Sequence, residues 1–365
     1  MNEDYFFQTL SVNKYDFTDK QKIELNKHFS GILKKARQEA KLDKCYFCEK
    51  TISSFCNSHS VPKFCLKNIA VKGEVNYSNK LVKIPVEKEE KGINEAGVFK
   101  LICKECDSKI FRDYEDENNY NSIPNMKMLA EITIKNYLKS ISKRLIEIEL
   151  YNQIPNRTTD PFDINMAIEK LHASRIDLQE YIANYRRAKK ILEKSWNDEY
   201  FVLFFEKLDY VVPIAFQGNI ALICDIEGNI INDIYNKSHN YKIQDIQICI
   251  FPLKEESIIL VYIDSKNNRY RKFYKQFKTM ELYEKLSVIN YMIFAYSEDI
   301  FFSKDIEDVA LKSQDLIKLS QKSTNLLVIK NIEDKQKILQ KEFGFDDRKN
   351  IPNLLSKEYA IIPRA

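Results

Sequence analysis

Apolar residues along this chain follow two periods, and the change from one to the other outlines its organisation. Near the start, Leu25, Phe29, Ile32, Leu33 and Ala36 recur at helical spacing behind a Thr18/Gln21 capping box, which predicts an amphipathic helix reaching the Gln38 region. After Pro124 the same period returns over residues 126–151, and a cap at Asp163 opens a further helical stretch to about Trp196. A shorter helix should begin near Cys106 and run through Phe111 and Tyr114. Between these helices, residues 50–102 hold short β-like runs at 81–86 and 98–102, punctuated by Gly73, Gly92 and Gly97, with 87–91 as a charged loop.

Past residue 196 the pattern changes. Runs at 200–205, 211–216, 220–224, 246–251 and 258–263 are β-branched and aromatic, and the Glu227-Gly228-Asn229 turn and the polar segment 264–268 separate them as hairpins. From Met280 helical spacing resumes, most clearly at 283–296 and 305–320. Pro155 and the polar run 156–160 mark a domain boundary. The predicted class is α+β: a small N-terminal module followed by a larger domain in which helices flank an antiparallel sheet. The divisions are a helical segment 1–44, the module 45–122, a helical connector 123–196 and the α+β domain 197–365.

Length and composition agree with two units. The 365 residues exceed one average domain, and 44% hydrophobic with 30% charged residues is ordinary for a soluble globular protein. A net charge of +4 on 57 basic and 53 acidic side chains does not by itself announce a nucleic-acid binder. The first eight residues carry acids rather than a basic stretch before an apolar run, and no apolar segment reaches membrane-spanning length, so a soluble, cytoplasmic protein with no membrane partner is expected. The 7 glycines are too scattered to cradle a nucleotide's phosphates, which argues against ATP-driven or NAD-dependent chemistry.

Four of the eight cysteines fall into two Cys-x-x-Cys pairs, Cys45/Cys48 and Cys103/Cys106. Zinc takes four tetrahedral thiolates, and each such pair presents two from one tight loop, so the predicted cofactor is a structural Zn2+ bound by all four. The alternatives are four unrelated buried cysteines or a redox pair. Cys56, Cys65, Cys224 and Cys249 read as core residues.

Between the two pairs lies Asn57-Ser58-His59-Ser60-Val61-Pro62-Lys63-Phe64. Cys-x-x-Cys, then Ser-His-x-x-Pro, then Cys-x-x-Cys-Asp resembles the cysteine-rich HNH endonucleases of the ββα-metal class, over about residues 45–115. The resemblance implies a zinc-bound ββα, treble-clef-like module with His59 as the general base that activates water. An imidazole suits that role because its ordinary pKa is close to neutrality. It also implies a catalytic Mg2+ or Mn2+, for which Asp107 is the candidate ligand; Asp107 could equally cap the helix that starts there. Ser58 stands where many members carry Asp or Glu, and no second histidine follows the second pair. Asp113, Glu115 and Asp116 are further candidate ligands, and His59 could instead be a structural hydrogen-bonding residue.

The partner implied is nucleic acid, DNA first, with restriction of phage or other foreign DNA as the setting and the 197–365 domain as sensor or target selector. Lys63, Arg186 and Arg187 are the candidate phosphate contacts, with Lys189, Lys190, Tyr181 and Tyr185 beside them and Lys139, Lys143 and Arg144 continuing a basic face. The plainer reading of such runs is a solvated helix face. Trp196 reads as core, and His28, His172 and His239 are isolated. A non-catalytic, zinc-stabilised nucleic-acid- or protein-binding protein is the rival function. No heptad signature decides between a homo-oligomer and a chain with a regulatory partner.

Overall fold

The molecule is built around a sheet whose middle strands are buried on both faces. The structure, a computed structural model, describes residues 19–78, 90–194, 198–236, 238, 240–297, 299–306, 308–322 and 335–363. Its strands are β1 (Ser58–His59), β2 (Glu74–Tyr77), β3 (Glu90–Gly92), β4 (Val98–Phe99), β5 (Tyr200–Leu208), β6 (Ile214–Ile220), β7 (Ile246–Pro252), β8 (Ser257–Asp264) and β9 (Phe301–Phe302). Seven of them form one sheet in the order β3-β2-β9-β6-β7-β8-β5, while β1 and β4 pair separately. Every pairing is antiparallel.

Successive residues of a strand point to opposite faces, and in β7 and β8 both sets are apolar. Ile248, Ile250, Ile259 and Val261 join one core, and Cys249, Phe251, Ile258, Leu260 and Tyr262 join the other. The helices are α1 (Asp19–Glu39), α2 (Lys63–Ile69), α3 (Lys104–Ile110), α4 (Met126–Gln153), α5 (Pro161–Lys194), α6 (Arg271–Lys278), α7 (Leu282–Tyr296), α8 (Asp308–Leu311), α9 (Gln314–Gln321) and α10 (Lys335–Phe343). On the first face, Phe273 and Phe277 of α6, Ile289 and Ile293 of α7 and Leu316 of α9 cover the sheet. On the second lie Met128, Leu129 and Ile132 of α4, together with the cysteine-rich module. The mixed α/β content and the antiparallel sheet flanked by helices are as the sequence predicts.

A polar seam sets the rotation of α4. Thr133 Oγ1 meets Tyr262 Oη at 2.8 Å, Asn136 Nδ2 donates to Gln247 Oε1 at 2.8 Å, and Gln217 Nε2 donates to Asn136 Oδ1 at 2.9 Å. Tyr137 Oη donates to both oxygens of the buried Asp245. Buried amides and hydroxyls need such partners, so the helix cannot turn about its axis without leaving several unpaired.

Several predicted details come out differently. The segment 154–160 is the tight link of a helical hairpin, with a 3-10 turn at Ile154–Asn156, and α4 and α5 pack along each other. The described part of the predicted connector, 123–194, is therefore a layer of the fold. Nor does 45–122 stand apart, because β2 pairs with β9 through Asn76–Phe302 and Tyr77–Phe301. At the start of α5, Asp160 accepts from the Phe162 amide at 2.8 Å, and Asp163 is a buried residue inside the first turn. The run 220–224 makes a single bridge, Cys224–Ile230, around Gly228 at φ 82°. The 305–320 stretch divides into α8 and α9, with Ser313 capping the second by accepting from Leu316 N. The charged loop expected at 87–91 includes the start of β3. Helix α1 runs from Asp19 as predicted, with Ile32 and Ala36 buried; Thr18, the 81–86 run, Trp196 and His239 lie outside the described residues.

Candidate functional site

The four predicted cysteines converge. Their sulfur atoms all lie within 4.8 Å of one another, against about 3.8 Å along the edge of a tetrahedron with 2.3 Å zinc–sulfur bonds. Local structure explains the first pair: Glu49 N bonds Cys45 O at 2.8 Å and Cys45 N bonds Lys50 O at 3.0 Å, closing a knuckle in which Glu49 takes a positive φ of 61°. The second pair sits where α3 begins. Cys103 Sγ accepts from Cys106 N at 3.5 Å, and Cys45 Sγ accepts from Cys103 N at 3.3 Å. Burial opposes ionisation of Cys45, but amide bonds from Cys48, Cys103 and Phe47 outweigh it and bring the thiol down to about 7. Four convergent thiols, with amides aimed at Cys45 and Cys103, suit a soft, tetrahedral ion, and the set fits Zn2+. Among the described residues, no other group of three or more His, Cys, Asp or Glu side chains gathers in this way.

The cluster joins the first loop to the segment that follows β4 and to α3. Tyr46 N bonds Leu101 O at 3.0 Å and Cys56 N bonds Ile102 O at 2.8 Å. Strands β1 and β4 pair as Ser58–Phe99 and His59–Val98, and Ser60 N bonds Gly97 O at 2.9 Å. Gly97 is required twice over: its φ is +65°, and a Cβ there would stand 2.4 Å from Ser60 Oγ and 2.7 Å from Phe301 Cζ.

His59 is half-buried, and its Nε2 lies 3.0 Å from Ile93 O. A carbonyl only accepts, so Nε2 carries the proton and Nδ1 is left as a base. Burial lowers the imidazole's pKa, partly offset by the Ile93 bond, and Lys63 and Lys135 lower it further. The ring is therefore neutral at pH 7, the form a general base requires.

Ser58, its neighbour on β1, faces the other way, toward Asp107 of α3 and Lys135 of α4. Ser58 Oγ donates to Asp107 Oδ1 at 2.5 Å, and Lys135 Nζ donates to Ser58 Oγ at 2.8 Å and to Asp107 Oδ1 at 3.0 Å. The same ammonium lies 3.0 Å from Glu115 Oε1 and 3.8 Å from the centroid of the Phe111 ring. Cys56 Sγ points at Asp107 Oδ2 from 3.5 Å, so this cysteine is a member of a polar network rather than plain core. Burial raises the Asp107 pKa, but Lys135 and Ser58 more than reverse that and hold the carboxylate ionised. Lys135 itself is 0% exposed, and its three N–H donors have three oxygen acceptors.

These residues do not fit a catalytic Mg2+ or Mn2+. An ion about 2.1 Å from Asp107 Oδ1 would meet the Lys135 ammonium, which is fully enclosed and already holds that oxygen at 3.0 Å. Asp107 is thus part of a lysine-centred network, and His59 and Asp107 lie on opposite sides of β1. Of the other carboxylates proposed, Glu115 bonds the same lysine and Asp113 bonds Lys127 at 2.5 Å, while Asp116 accepts from Asn118 N at 3.0 Å.

Lys63 is exposed on the first turn of α2, near His59. Arg187 is committed elsewhere, its guanidinium paired with Asp264 and Glu199. Lys189 donates to Phe47 O at 2.8 Å and covers the Phe47 ring, and Tyr185 Oη donates to Tyr46 O at 3.3 Å, so this face of α5 braces the Cys45/Cys48 knuckle. Arg186 and Lys190 are the exposed members of the cluster. Lys139 pairs with Asp299 at 2.9 Å, and Arg144 with Glu147 and Asp177. Lys135 was missed by the sequence reading; its signal was a lysine inside the apolar run Ile132-Thr133-Ile134-Lys135-Asn136-Tyr137-Leu138.

Set against known proteins, the chain matches no family model, no curated protein and no solved structure. Among the described residues, no helix is long and apolar enough to cross a membrane.

Proposed function

We propose that this chain is an endonuclease of the HNH type, hydrolysing phosphodiester bonds of nucleic acid, DNA in the first instance. One observation carries the reading: four cysteines join the first knuckle to the start of α3 beside the strand pair that bears His59, and the Ile93 carbonyl holds the imidazole by Nε2. Read this way, the module is treble-clef-like, with a first knuckle, a short antiparallel strand pair and a helix that starts at the second knuckle. In this reading His59 Nδ1 takes a proton from the attacking water, exposed Lys63 holds the substrate's phosphate, and the larger sheet domain senses or selects the target. Defence against foreign DNA is the setting that the resemblance suggests.

The test is cleavage of supercoiled plasmid, single-stranded DNA and RNA by zinc-loaded wild type beside His59→Ala. Cutting by wild type that the substitution removes, with metal content and fold retained, supports the reading. Equal cutting by both proteins, or none on any substrate, overturns it.

The position of Lys135 favours a second reading, a zinc-stabilised nucleic-acid-binding protein that cleaves nothing, because the network at Asp107 leaves no place for a catalytic ion. It predicts salt-dependent binding that His59→Ala leaves alone and Lys63→Ala weakens.

A further inference from the structure

A cation fully enclosed by its own chain stands at the centre of the candidate site. Its surroundings are those of a small metal ion's cavity: a carboxylate oxygen at 3.0 Å from α3, a second at 3.0 Å from Glu115, a hydroxyl at 2.8 Å from β1, and an aromatic face. The ligands come from separate parts of the chain, and the ammonium reaches them from α4, whose rotation is fixed by the Thr133, Asn136 and Tyr137 bonds to the sheet.

We infer that Lys135 is the resident cation of this site, so that Ser58, Asp107 and Glu115 hold an ammonium of the chain itself and the module neither binds nor responds to Mg2+ or Mn2+ there. The inference rests on the reading of Ser58 and Asp107 as the ion-binding positions of an HNH-like module, and it concerns the charge at that site rather than whether a bond is cut. Three properties of a lysine make the substitution chemically sound. Its charge is single and compact, it offers three donors to the three oxygens, and its four-carbon stem buries along apolar side chains. A divalent ion needs the same oxygens at shorter range and cannot share them with an ammonium that is itself fully buried among them.

The experiment is a Mn2+ titration of the full-length, zinc-loaded protein, read by the loss of the free aquo-ion signal in electron paramagnetic resonance. Wild type and Asp107→Asn should give the same curve, since Asp107 takes no part in ion uptake. Lys135→Ala should gain one Mn2+ per chain, and that gain should vanish in Lys135→Ala/Asp107→Asn. Uptake by wild type that Asp107→Asn abolishes would overturn the inference, and this comparison stands even if Lys135→Ala does not fold. Where cleavage is observed, its rate in metal-depleted buffer should be unchanged by added Mg2+. A strict Mg2+ requirement would sink the resident cation and leave the nuclease standing, whereas absence of all cleavage would remove the nuclease and leave the titration to decide.

Discussion

The two faces of the sheet are both covered by apolar cores, but only one of the covering layers also encloses a thiol cluster and a buried lysine. On one, Phe273, Phe277, Ile289, Ile293 and Leu316 meet Ile248, Ile250 and Val261 in a continuous apolar core. On the other, Leu66, Ile69, Leu101, Phe111, Leu129 and Ile132 meet Phe251, Ile258 and Leu260 in a second apolar core, and the same layer holds four thiols and a lysine bonded to Ser58, Asp107 and Glu115. The first layer needs only area, since burying a Phe, Leu or Ile contributes roughly 1.5–3 kcal/mol whatever its direction. The second adds to its apolar area bonds with fixed geometry and partners, so the part of it around the cysteines and Lys135 should be the more sensitive to loss of a single group.

The sharpest way to break that contrast is to remove the ion. Structural zinc in small modules contributes on the order of 10 kcal/mol, so Cys103→Ser or a strong chelator should unfold 45–110 and leave β6, β7 and β8 intact. Hydrogen exchange measures this directly: fast exchange confined to the module is expected, and equal loss of protection across the sheet would mean that the layers are not separable.

Next comes pH. Burial pushes Glu131 up to about 7, with the Tyr114 amide partly opposing, and pushes Asp245 up to about 6, opposed by Tyr137 and Asn219. Both acids bind protons more tightly folded than unfolded, so their contribution is present at low pH and lost as pH rises through 6 and 7. Unfolding free energy should fall between pH 5 and pH 8, and Glu131→Gln should flatten the fall by up to about 3 kcal/mol. A profile identical to wild type would remove Glu131 from the account.

Smaller still is Gly97→Ala, expected to cost about 1–3 kcal/mol through its left-handed backbone and the contact with Phe301. Thermal melts decide it. Arg186→Ala, on an exposed position, should change stability by no more than about 0.5 kcal/mol, and a larger loss would mean that the basic face of α5 is structural throughout.

The parts legible in the sequence are those whose signal is local. Thiol pairs two residues apart, the period of α4 and the β-branched runs of β7 and β8 each declare themselves within a few residues. What escaped depends on distant partners. Strands β2 and β3 belong to the large sheet only because β9 lies beside them, with Tyr77 bonding Asp299 across 222 positions. Lys135 is bonded across 28 positions to Asp107 and 77 to Ser58, and its apolar neighbours mark only its burial, not the groups it holds. The run 186–190 looked like one basic face because sequence cannot tell an arginine facing Asp264 from one facing water.

Because α5 is a single helix of 34 residues, about 50 Å long, its angular phase is fixed at two stations. Asp177 meets Arg144 of α4, and about two and three turns further on Tyr185 and Lys189 reach Tyr46 and Phe47. Inserting one residue between the stations would rotate the second by about 100° and swing both side chains off the knuckle, whereas inserting four would nearly restore the angle. Tolerance to insertions along this rod should therefore be periodic.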